Sequence, residues 1–146
     1  MRVVSDLLLE MLRSTGFTVH DGLVVVDNSG KTVEYSLPYL TFMSSIGDYH
    51  APRLDARPGI LSVYFTVTYV GGTAEQARGL GEKARQALVR KRVAGAGVTR
   101  SGLIHLEESQ RVRRQDDAVR LEGTPLFYGV DNYAVPVTLN SEGVPA

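Results

Sequence analysis

The residue types best suited to proton transfer or metal ligation at neutral pH are the three histidines, His20, His50 and His105, and they stand far apart in the chain. No H-E-x-x-H pattern and no close His-Asp-Ser set brings any of them near a second ligand or a nucleophile. Asp48 and His50 lie two apart and could orient one another in a loop, but such a polar pair is far more often a surface hydrogen bond than a reacting site. The acidic pairs Glu107-Glu108 and Asp116-Asp117 have the composition of acid–base chemistry. Neighbouring residues on a strand point to opposite faces, however, so neither pair converges on one substrate. Gly71-Gly72 stands before a helix without G-x-G-x-x-G or G-x-x-x-x-G-K-[ST] and with no lysine at the helix start, which reads as a tight strand-to-helix turn rather than a phosphate cradle. The expectation is no catalytic residue, no metal site and no cofactor. The basic groups Arg90-Lys91-Arg92 and Arg111, Arg113 and Arg114 remain, and helix-end cations or an ion-paired ribbon account for them as well as phosphate contacts do.

The elements that must position these residues fit in a single domain. The chain has 146 residues, 43% of them hydrophobic, and one core typically organises roughly 100–150 residues. Lysine plus arginine and aspartate plus glutamate each total 16, a net charge of zero. No net field therefore draws the chain to nucleic acid or anionic lipid. Cysteine is absent, which removes disulfides and thiol chemistry. Apolar runs such as Leu23 to Val26 are far shorter than the roughly 20 residues of a membrane helix, and the first residues lack a signal-peptide core, so a protein kept in the cytoplasm is expected.

Val3, Val4, Leu7, Leu8, Met11 and Leu12 recur at helical spacing with Asp6, Glu10 and Arg13 opposite, predicting a helix of about three turns that Gly16 ends. Leu23–Val26 and Thr32–Tyr35 flank Asp27-Asn28-Ser29-Gly30-Lys31 as a hairpin would. A short strand follows at Tyr39 to Met43. Ser44 to Gly59 holds no period and reads as a long loop, the kind of segment that contacts between subunits order. Ile60 to Val70 is the strongest strand, with Leu61, Val63, Phe65, Val67 and Tyr69 on one face, and should cross the centre of the sheet. Thr73 caps a second helix, with Gln76 completing a T-x-x-Q box. That helix shows a face of small residues, Ala74, Ala77, Leu80, Gly81, Ala84 and Leu88, and is expected to gather Arg85, Arg90, Lys91 and Arg92 at its end before Gly95 stops it. Leu103–Arg113 and Ala118–Leu121 read as strands around a turn at Gln115-Asp116-Asp117. Phe127 to Leu139 is the last strand, with Gly129 suggesting a bulge and Pro136 an edge or strand end. The sum is an α+β domain over residues 1–140, a mostly antiparallel sheet against two helices, with a C-terminal tail at 141–146.

This layout, with Val63-Tyr64-Phe65-Thr66-Val67-Thr68-Tyr69-Val70-Gly71-Gly72-Thr73-Ala74-Glu75-Gln76-Ala77 entering the second helix and Asp117 to Leu139 closing the chain, resembles the tail-terminator or tail-completion subunits of siphophages. The resemblance implies a virion protein at the tail–neck junction. Such subunits look like α/β proteins that form a hexameric ring, cap the growing tail tube, stop its polymerisation and present a surface to the head–tail connector. The implied partners are further copies of the chain, the tube protein and the connector, with DNA only passing through the lumen and no membrane involved. Neck and tail-tube subunits share much of the layout and form the alternative; a small ligand-binding module or enzyme is more distant. On this reading Asp48, Tyr49, His50, Arg53, Asp55, Arg57, Glu107 and Glu108 are candidates for inter-subunit or tube contacts, and Arg111, Arg113 and Arg114 for the lumen.

Overall fold

The computed structural model describes residues 2–22, 38–45, 48–50, 60–119 and 125–139. The expected hairpin at 23–35, the candidates Arg53, Asp55 and Arg57, and the tail lie outside them. Val4, Leu8 and Leu12, four apart, are fully buried together with Leu9 on one side of α1 (Arg2–Arg13), because residues at i and i+4 share a helical face. Gly16, at φ 85°, turns the chain out of the helix at a conformation that an L side chain resists. β1 (Thr18–Asp21) follows.

β1 pairs in parallel with β2 (Tyr39–Ser44), and every other pairing among the described residues is antiparallel. β4 (Ile60–Gly71) runs through the middle, flanked by β2 and the short β3 (Asp48–His50) on one side and by β7 (Pro125–Leu139) on the other. β7 in turn carries β5 (Val98–Ser101) at its C-terminal end and β6 (His105–Val119) along the rest. The alternation in β4 survives intact: Leu61, Val63, Phe65, Val67 and Tyr69 are buried. Their register partners Val137, Val135, Tyr133, Asp131 and Gly129 share that face, since directly opposed residues in a ladder point the same way. α2 (Ala74–Leu88) lies on it with Ala77, Leu80, Gly81, Ala84 and Leu88 buried. The rings of Phe42, Phe65 and Tyr133 follow one another at centroid distances of 5.6 and 5.2 Å. Each such side chain contributes roughly 1.5–3 kcal/mol by leaving water.

Four expectations are corrected. The loop from Ser44 to Gly59 contains a strand, because Asp48, Tyr49 and His50 pair with Ser62, Leu61 and Ile60 and extend the ladder that β2 leaves at Ser44. α2 ends at Leu88, where the Val89 N–H closes on the Arg85 carbonyl and Arg90 takes φ 64°. Arg90, Lys91 and Arg92 therefore lie beyond the helix. β6 begins at His105, not Leu103, and its extended backbone continues through Gln115-Asp116-Asp117 to Val119, where the last of its three register shifts against β7, between Gln115 and Val119, takes up the surplus residues. The turn composition is expressed as an irregularity inside the strand and not as the strand's end.

The fourth correction concerns β7. Gly129 sits in unbroken register opposite Tyr69, and a Cβ there would lie 2.2 Å from the Tyr69 ring. The residue is glycine for close approach, not for a bulge. Pro136 is neither edge nor end: it pairs with Ser62, and its carbonyl accepts from the Gly102 N–H at 2.8 Å. Its missing N–H lies on the same side, where β7 exchanges β6 for β5, and the Gly102 carbonyl there accepts from the Ser101 hydroxyl at 2.7 Å.

Candidate assembly surface and the charge cluster beneath it

β6 brings the sequence-selected charges together. It pairs on one side with β7, and its other side forms an edge of the sheet among the described residues. Glu107, Glu108, Arg111, Arg113 and Arg114 are all exposed along it, the two acids followed by the three arginines. Charges and bulges on an edge prevent indiscriminate strand addition, so the specificity of this edge lies in its side chains. Glu107 meets the Nε2 of His105. Glu108 stands opposite Asn132, and Arg113 opposite Tyr128, on the sheet face turned away from α2.

That face continues the edge inward. Beside Glu107 a cavity of about 380 Å³ is lined by Met43, Tyr64, Thr66, Asn132 and Tyr133. Met43 and Tyr64 are 44% and 42% exposed, and the Thr66 hydroxyl donates to the Asn132 Oδ1 at 2.7 Å. An acidic rim next to exposed apolar side chains is the composition of a protein contact. The structure puts the backbone of Asp48, Tyr49 and His50 elsewhere, on the far side of β4 in β3. Two separate strands, β3 and β6, one on each side of β4, thus hold the described candidates.

Beneath β6 lies a cluster that the sequence reading missed. Asp131 has no exposed surface, and its carboxylate accepts from Arg85 Nε at 2.8 Å and from Arg85 Nη2 at 2.9 Å. Ser109, opposite Asp131 in the β6–β7 register, donates to the same carboxylate at 2.7 Å and accepts from Arg85 Nη2. The Tyr133 hydroxyl donates at 3.2 Å and that of Tyr69 at 3.4 Å. A carboxylate removed from water must be surrounded by donors, and here α2, β4, β6 and β7 supply them. Burial, and then the neighbouring Asp131 carboxylate, raise the Tyr133 and Tyr69 phenols above their ordinary value. The hydrogen bond to Asp131 holds the Arg85 guanidinium more firmly protonated. The legible signal was phase: Asp131 falls in step with Tyr133, Val135, Val137 and Leu139 on the inward face of β7, where an acid demands a partner.

Among the described residues no group of three His, Asp or Glu side chains is placed to hold a metal, and no helix is long and apolar enough to cross a membrane. A chain in the solved virion of a native gene transfer agent particle shares this fold, with a TM-score of 0.56 over 91% of this chain and 92% of that one at 12% identity. No protein-family model matches the chain, and no curated relative matches its sequence.

Proposed function

We propose that this chain is a structural subunit of a phage-type virion, and within it the tail terminator: a ring that caps the tail tube, ends its polymerisation and joins the tail to the head connector. The observation that carries the virion reading is the fold held in common, across nearly the whole of both chains, with a component of a gene transfer agent particle. The finer reading rests on the sequence layout described above and on the exposed charged edge. Copies that meet head to tail need two unlike, complementary patches, and β3 and β6 are candidates on opposite sides of β4. In this arrangement geometry is the output, and no bond-making step is required of the chain. Glu107 and Glu108, with Asp48, Tyr49, His50, Arg53, Asp55 and Arg57, serve the subunit and tube contacts, while Arg111, Arg113 and Arg114 face the lumen.

The test is electron microscopy of the purified protein, alone and mixed with tail tubes. Closed rings, six-fold in projection, that seat on tube ends are the expected outcome. Long tubes made of this chain would favour the tail-tube alternative, and binding to connectors without binding to tubes would favour a neck subunit. A chain that stays monomeric with both would defeat the reading.

A further inference from the structure

β6 is a difficult strand to hold in one shape. Register shifts fall between Leu106 and Glu108 and again between Gln110 and Arg113, and a bulged ladder specifies the backbone less tightly than a regular one. Between those shifts stands Ser109. The elements packed against β6 are β7 and α2, and the side-chain link from α2 is Arg85 to Ser109, tied through Asp131 to β7. Tyr69 enters the same cluster from β4, its ring passing between Gly129 and Gly81, where added Cβ atoms would lie 2.2 and 2.9 Å away. Four elements thereby converge on one carboxylate directly under the stretch of edge that carries Glu108 and Arg111.

Asp131 is buried while the Arg85 side chain is 39% exposed; an ion pair with a desolvated carboxylate is a poor source of net stability, and what it can supply is a unique geometry. Arg85 is suited to that task, since its planar fork meets Asp131 with two donors in a fixed relation that a lysine cannot copy. We infer that Arg85 and Asp131 are positioning residues for the assembly surface: through Ser109 they pin the bulged stretch of β6, so that its charged edge is presented to other subunits in one shape. The inference rests on the proposed function, in which β6 enters the contact.

The experiment uses the full chain as wild type, as Arg85→Lys, and as the volume-matched apolar pair Arg85→Met with Asp131→Leu. Denaturation, hydrogen exchange of the β6 amides paired with β7, and self-assembly by mass photometry are read on each. The apolar pair leaves the buried Tyr133 and Tyr69 hydroxyls without their acceptor and is expected to lower the unfolding midpoint, to speed exchange of the amides around Ser109 about tenfold more than that lowering accounts for, and to need about tenfold more protein to assemble. Arg85→Lys should move both readouts in the same direction by less. Should the apolar pair not fold, Ser109→Ala removes the link and leaves the ion pair, and faster exchange confined to β6 is then expected. Unchanged β6 exchange, or loosened β6 with unchanged assembly, overturns the inference. A wild-type chain that never assembles, even on tubes, instead overturns the functional reading while leaving the exchange result to stand.

Discussion

The ring of Tyr69 occupies the space in which a side chain at Gly129 would have to begin, its Cε2 lying 2.2 Å from an ideal Cβ at that position. The two residues face each other across β4 and β7, and the missing methyl lets the Tyr69 hydroxyl reach under β6 to Asp131.

Gly129→Ala is therefore expected to destabilise the protein by about 2–3 kcal/mol, the cost of forcing an overpacked core to shift. Gly79→Ala on α2, where nothing lies within 4 Å of the added carbon, should instead stabilise by about 0.5–1 kcal/mol through helix propensity. Urea unfolding of the two variants measures both, and equal effects would show that close approach is not the reason for Gly129.

Alkaline pH should weaken the fold. The Tyr133 and Tyr69 phenols are raised above 10.0 by burial and by Asp131, whereas in the unfolded chain they titrate near that ordinary value. Above pH 10 the unfolded state thus holds fewer protons than the native state, and stability falls with rising pH. The contribution is fully present below pH 10. Tyr133→Phe should flatten the decline of the unfolding midpoint between pH 10 and 11.5, and an unaltered decline would exclude Tyr133 as its source.

The start of α2 gives a smaller effect. The Thr73 hydroxyl accepts from the Gln76 N–H at 3.1 Å, and the Gln76 side chain accepts from the Gly72 N–H at 2.7 Å. Thr73→Ala should cost about 1 kcal/mol, read as a lower thermal midpoint. Thr73→Ser should recover most of it.

Charge reversal on β6 separates the two roles proposed for it. Glu108→Arg should reduce assembly, measured as the ring fraction in micrographs, while leaving the unfolding midpoint within about 0.5 kcal/mol of wild type, because the site is exposed. Arg113→Glu should leave ring formation intact and impair DNA passage, scored as infectivity of assembled particles. If Arg113→Glu abolishes rings instead, the arginine belongs to the subunit contact.

Much of this fold is legible in the chain because its signals are local. The four-residue recurrence of Val4, Leu8 and Leu12, the alternation from Leu61 to Tyr69, and Thr73 with Gln76 at a helix start each arise from neighbours along the backbone, whose periodicity the buried face copies. The α+β class and the central place of β4 follow from them. The rest depended on contacts between residues distant in sequence. Pairing with β7 on both sides, at Gln115 and Val119, kept β6 extended across Gln115-Asp116-Asp117 with a register shift in place of a turn, and β7's exchange of β6 for β5 made room for Pro136. Tyr69 decided why position 129 is glycine. Arg85 reads in sequence as one more cation near a helix end, and became the partner of a buried acid only once β7 was laid beneath α2. A sequence carries its periods openly, but pairing register and the pairing of a buried charge are properties of surfaces that do not exist until the chain has folded.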